Sequence, residues 1–148
     1  EVELEVVNLE AQYYDPAFAE DPAAEGAYVW TSVVSLEEGH DQEPTGTYLE
    51  LVEQQGGTPS SLGVQAFSAG LLFATAASEL GADLTREGLV EELRGITSWE
   101  GGGLHAPGNP GENRQPECIL LMRVSDGGFV RDFPEEGFAC DPEWVIDV

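Results

Sequence analysis

The longest apolar run in the chain is Leu62 to Leu80, LGVQAFSAGLLFATAASEL. Its polar residues, Gln65, Ser68, Thr75, Ser78 and Glu79, fall on one narrow stripe of a helix with about 3.6 residues per turn. The rest of the circumference is apolar or small, which predicts a core helix buried on most sides. Thr58, Ser60 or Ser61 can cap its start, and Gly81 suits its end. Gln65 and Glu79 interrupt the run, and acids rather than Lys or Arg flank it, so it reads as part of a soluble protein and not as a membrane span.

The other patterns are shorter. Glu1 to Leu9 alternates acid and apolar residues up to Val6, predicting a strand with one wet face. Asp15-Pro16 breaks it and opens a short Ala-rich helix that ends near Gly26, with Asp as cap and Pro in the first turn. Ala27 to Val34, AYVWTSVV, is β-branched and aromatic and gives the strongest strand pattern. Glu37 to Thr47 is an acidic loop. Tyr48 to Gln55 predicts a short helix with Leu49, Leu51 and Val52 inward, stopped by Gly56-Gly57. Leu84 to Gly95 predicts another, capped by Thr85, with Leu89, Val90 and Leu93 on one face. Trp99 to Pro116 is dense in glycine and proline and predicts a long irregular loop. Cys118 to Val124 is an apolar strand, Ser125 to Gly128 a hairpin turn and Phe129 to Phe133 the return strand, followed by a tail in which Trp144 and Val145 are anchors.

Early strands, three central helices and a closing hairpin predict an α/β or α+β fold with a C-terminal β-hairpin. Residues 1–35 and 117–148 form the strand-rich part and 45–96 the helical part. The central helix demands a large apolar partner, and four or five short strands barely supply one. The chain is therefore expected to be incomplete.

Charge narrows the choice of function. Among 148 residues there are 29 Asp and Glu, five Arg and no Lys, for a formal net charge of −24. Such a surface repels phosphate backbones and anionic membranes, which argues against nucleic acid as a partner. Cys118 and Cys140 lie on either side of the predicted hairpin. Two buried thiols are one reading; a disulfide is favoured because both cysteines flank short strands, and it implies an oxidising, extracytoplasmic compartment. No CxxC pair suggests zinc or redox chemistry.

Several motifs bear on chemistry. Ala66-Phe67-Ser68-Ala69-Gly70 approximates a nucleophile elbow, and Asp83 and His105 follow in hydrolase order. An elbow needs a strand immediately before its serine, and residues 59–66 carry none, so Ser68 reads as a helical serine. A small serine hydrolase using Ser68, Asp83 and His105 is the alternative function. His40 lies among Glu37, Glu38, Asp41 and Glu43, but metal-ligand spacing is missing, and a solvated acidic loop is the reading. The glycines at 101–103 and 108–111 lack a Walker lysine, so no nucleotide or other cofactor is expected. Gln12-Tyr13-Tyr14-Asp15 lies at the carboxyl end of a predicted strand, where open α/β sheets bind ligands. Two aromatics and an acid suit a small amine with an apolar part. The same residues also read as packing tyrosines and a helix cap.

The order of these pieces resembles the C-terminal portion of the type I periplasmic-binding-protein family, the solute receptors of branched-chain amino acid ABC transporters. Ala23-Ala24-Glu25-Gly26 running into AYVWTS resembles the family's A-E-G turn into a strand. TYLELVEQQGG followed by QAFSAGLLFATAASELGADLTREGLVEEL resembles its late helix pair, ITSWEGGGLHAPGNPGEN its W-D-x-x-G segment, and ILLMRVSDGGFVR its closing hairpin. The resemblance implies a two-lobed receptor without catalytic residues that closes on an amino acid or similar small amine or amide. It implies α/β architecture in pieces of three-layer α/β/α lobes, ligand contacts at Tyr13, Tyr14 and Asp15, with Glu10 or Asp15 as the acid that holds an amine, and, near the lobe junction, contacts at Gln65 and Phe67. It implies no cofactor or metal, a transporter permease as partner, and an extracytoplasmic protein that is lipid-anchored in full-length form. Family members are more than twice as long. The chain is thus expected to be a C-terminal fragment, residues 1–148, whose ligand binding is weakened and whose central helix pairs in a homodimer or leaves an apolar patch exposed.

Overall fold

The computed structural model describes residues 5–41 and 43–141. Four strands form one sheet in chain order: β1 (Asn8–Leu9), β2 (Tyr28–Thr31), β3 (Leu120–Ser125) and β4 (Gly128–Phe133). β1 and β2 are parallel, and the other two pairings are antiparallel. The short helix α1 (Pro16–Ala19) lies in the connection between the parallel strands. Three helices, α2 (Thr45–Gln54), α3 (Ser61–Leu80) and α4 (Arg86–Gly95), separate β2 from β3. The architecture is mixed α/β with a closing hairpin.

Local chemistry sets most boundaries. Asp15 accepts the Ala17 N–H at 2.8 Å and Pro16 opens α1. Of the three residues able to cap α3, Ser60 does so, accepting the Gly63 N–H at 3.2 Å. Thr85 caps α4 through the Gly88 N–H at 3.1 Å. In the hairpin, Asp126 and Gly127 have φ of 55° and 79°. Two consecutive left-handed residues make the tight turn whose twist matches the flanking strands, and glycine takes the second position without strain.

Alternation along β3 builds the first core. Leu120, Met122 and Val124 are fully buried and meet Val29, Ala27, Ala24, Tyr14 and Phe129. A second core joins Val33, Tyr48, Leu49, Val64 and Leu104. Leu36, just after β2, packs against both. Cys118 and Cys140 form the disulfide, with Cα atoms 4.3 Å apart. Beside it, Ile119 and Ala139 exchange backbone hydrogen bonds of 2.8 and 2.9 Å. Arg131 on β4 donates to both oxygens of Glu38 and to the carbonyls of Pro134 and Gly137, tying the hairpin to the loop after β2.

Several expectations change. The strand predicted over Glu1 to Leu9 is reduced to Asn8–Leu9 among the described residues; positions 1–4 lie outside them. The strand predicted over Ala27 to Val34 ends at Thr31, after which Val33 forms an isolated bridge with His105. Helix α2 starts at Thr45, and Leu51 is 44% exposed rather than inward because none of the described elements covers that side. Trp144 and Val145 lie outside the described residues.

The largest correction concerns α3. Only Ser61, Val64, Ser68 and Ala76 are buried, while Leu62 and Phe73 are 60% and 52% exposed. The helix docks on the side that carries Ser68, not on its broad apolar face. The reason is a hydrogen-bonded anchor. Ser68 Oγ accepts the Trp99 indole N–H at 2.9 Å and lies 2.7 Å from His105 Nε2. At the helix start, the Ser61 hydroxyl donates to the Ala11 carbonyl at 2.6 Å. Val64 fills the second core between these points. Nothing among the described residues offers a matching surface to Leu62 and Phe73, so the expected burial on most sides does not occur. The exposed apolar patch anticipated for an incomplete chain is present.

Candidate functional site

Parallel pairing of β1 and β2 sets their carboxyl ends side by side. The segment after β1 carries Tyr13-Tyr14-Asp15, and the segment after β2 carries Ser35-Leu36-Glu37. The Tyr14 hydroxyl bridges them: it accepts the Leu36 N–H at 2.8 Å and donates to the Glu37 carboxylate. The Ser35 hydroxyl donates to the same carboxylate oxygen at 3.1 Å. Burial, then the adjacent Glu37 charge and the hydrogen bond to it, hold the Tyr14 hydroxyl far above its ordinary pKa of 10.0. It is a fixed neutral donor, not a titrating group near neutrality.

A groove of about 680 Å³ opens over this junction. Tyr14 and Phe129 of the first core form one side, with their rings edge-to-face at 4.7 Å. Leu49 of the second core forms the other, and Leu36 lies between. Glu37, His40, Glu50 and Glu53 are exposed around it. Pro59 and Gly56-Gly57 also line it. The volume falls within the range of roughly 300–1,000 Å³ typical of small-molecule sites. An aromatic and aliphatic floor under carboxylates can bury the apolar body of a ligand and pair with a cationic group.

Of the four residues singled out as ligand contacts, Tyr14 lines the groove. Tyr13 is 40% exposed and stacks edge-on against Phe18 with centroids 5.3 Å apart. Asp15 is partly buried and caps α1. Gln65 is exposed on α3 and is not part of this groove. The sequence did not single out Glu37, Glu50 or Glu53: Glu37 lies in a loop that reads as solvated surface, and Glu50 and Glu53 alternate with apolar positions on a short helix. One signal does point to Glu37: it follows the second strand much as Tyr14 follows the first, and parallel neighbours share their carboxyl edge.

The proposed hydrolase triad is not assembled. Ser68 and His105 do meet, but His105 Nδ1 lies 2.7 Å from the Ala106 carbonyl oxygen, in the place an acid would take. Asp83 is exposed in the turn after α3. Ser68 is 2% exposed in mid-helix, and a side chain at Gly101 would run into its hydroxyl at 2.7 Å. The close loop at Gly101, with φ of 65°, therefore seals the serine rather than presenting it. Because a carbonyl can only accept, His105 Nδ1 donates to Ala106. This is a structural clasp between α3 and the Trp99–Ala106 loop.

No protein-family model and no curated protein matches the chain. Solved structures do. A fatty acid ABC transporter substrate-binding protein from Thermomonospora curvata matches 85% of this chain at 21% identity, with a TM-score of 0.68. A protein assigned to branched-chain amino acid ABC transport in Rhodospirillum rubrum matches 88% at 20% identity, with a TM-score of 0.64. A leucine-binding protein from Thermotoga maritima matches 93% at 16% identity, with a TM-score of 0.68. The matched regions are 35%, 38% and 38% of those proteins' lengths. The chain thus has the fold of part of a type I periplasmic binding protein, over a little more than a third of the length of its structural neighbours.

Proposed function

We propose that this chain is the C-terminal portion of an extracytoplasmic solute-binding protein that delivers a small molecule to an ABC transporter permease. The observation that carries the reading is the groove between two separate cores, lined by Tyr14 and Phe129 from one and Leu49 from the other. In a protein that closes two lobes on a ligand, such a seam is where the ligand is held. The structural neighbours include proteins named for leucine binding and for branched-chain amino acid and fatty acid ABC transport, which supports a solute-binding role without fixing the ligand. An amino acid or similar small amine suits the carboxylates at the rim. Tyr14 gives the site its aromatic floor, with Phe129 beside it. The disulfide agrees with an oxidising compartment, and lipid anchoring belongs to the longer protein. The exposed apolar side of α3 is where the rest of that protein, or a second copy of this chain, packs.

Calorimetric titration of the folded chain with a panel of amino acids and aliphatic amines tests this reading. A saturable heat with one member, abolished by Glu50→Trp filling the groove from an exposed helix position, is the expected result. Absence of heat with every member from a chain whose circular dichroism is native would refute it.

A further inference from the structure

The groove's lining carries a second message, about the charge of what it takes. Glu37 projects from the segment after β2, whereas Glu50 and Glu53 stand one turn apart on α2. Acids therefore reach one groove from two elements. No Lys or Arg lines the groove; the basic group at its edge is His40. Three of the five arginines are paired elsewhere, Arg131 with Glu38, Arg114 with Glu117 and Arg123 with Asp132. Among the described residues no three His, Cys, Asp or Glu side chains gather closely enough to hold a metal ion. The groove's acids thus answer spread positive charge, not one compact cation. Leu36, Leu49 and Phe129 give the same groove aliphatic and aromatic surface.

We infer that the ligand of the groove is an aliphatic diamine or longer polyamine, with its alkyl spacer on the Leu36–Leu49–Phe129 floor and its ammonium groups at Glu37 and at Glu50 and Glu53. The inference rests on the reading of the groove as a solute site and adds the ligand's charge to it. Glu37 is held for this task by the Tyr14 and Ser35 hydroxyls, which fix one of its oxygens and leave the other for a ligand donor. A ligand carboxylate would meet repulsion here and find no basic side chain but His40 to hold it.

The test is calorimetric titration of the whole chain at low salt with cadaverine, amylamine and leucine, which separate the number of ammonium groups from apolar length. Each additional exposed ammonium–carboxylate pair is worth up to about fivefold in affinity. Cadaverine should bind about fivefold more tightly than amylamine, and added salt should narrow the gap. A Glu50→Gln, Glu53→Gln double variant, altered only at exposed positions, should bring cadaverine to the level of amylamine. Leucine or amylamine binding as tightly as cadaverine would overturn the diamine assignment while leaving the solute-binding reading intact. No heat with any of the three, from a chain shown to be folded, would overturn both.

Discussion

Strand β3 and helix α3 are the two most apolar segments of the chain, and their surroundings could hardly differ more. On β3 every second side chain, Leu120, Met122 and Val124, is sealed from solvent. On α3, Leu62 and Phe73 face outward and the buried side holds two serines. Hydrophobic content is the same kind of signal in both, but burial requires a partner surface. The sheet and α1 supply one for β3. For the broad face of α3 the described residues supply none, and its position is set by hydrogen bonds to Trp99, His105 and Ala11. The sheet repeats the lesson on its outer face, where Trp30 pairs with Leu121 and Leu121 with Phe133, leaving Trp30 38% and Phe133 47% exposed.

Substitutions that act on one segment and spare the other sharpen this contrast. Leu120→Ala empties space in the closed core and should lower unfolding free energy by about 3–4 kcal/mol, read by urea denaturation. Reducing the disulfide should cost about 3 kcal/mol, since it closes a loop of 22 residues around the hairpin. A thermal melt with and without reductant measures that loss. Ser68→Ala strips the indole and imidazole of their shared partner and should cost about 1–2 kcal/mol. It should also loosen the Trp99 loop, seen as a shift in tryptophan emission.

Tyr14 gives a pH test. The folded chain keeps its proton well above the ordinary phenol pKa of 10.0, whereas the unfolded chain loses it there. Its contribution to stability is therefore complete below about pH 10 and falls above it by about 1.4 kcal/mol per pH unit. Tyr14→Phe should remove that part of the alkaline slope in denaturant titrations. At the small end, Phe73→Ser should change stability by no more than about 0.5 kcal/mol, because the ring is already largely in water. The same change should lower binding of a hydrophobic dye to the native chain. A large loss of stability would mean that the α3 face is covered after all.

Much of the fold was legible in the sequence because its signals are local. Asp15-Pro16, Thr85 and Gly81 mark helix ends through their own backbone chemistry, and Asp126-Gly127 dictates a tight turn. The α3 orientation was not legible: a stripe rule assumes that polar residues face water, and Ser68 is held inside by Trp99 and His105, more than 30 positions away. The site was half legible. Tyr14 stands out by its place after a strand, but Glu37, which its hydroxyl reaches, looks like any other acid in a chain with 29 of them. Only the parallel pairing of β1 with β2 brings the two together.

The most direct measurement of the central claim is a nitrogen-15 amide spectrum of the chain titrated with cadaverine. The seam groove predicts shifts at Leu36, Glu37, Gly46, Gly56 and Gly57, with Leu62 and Phe73 on the open side of α3 unmoved. Shifts gathered on α3 or on the outer face of the sheet, with the groove amides still, would contradict it.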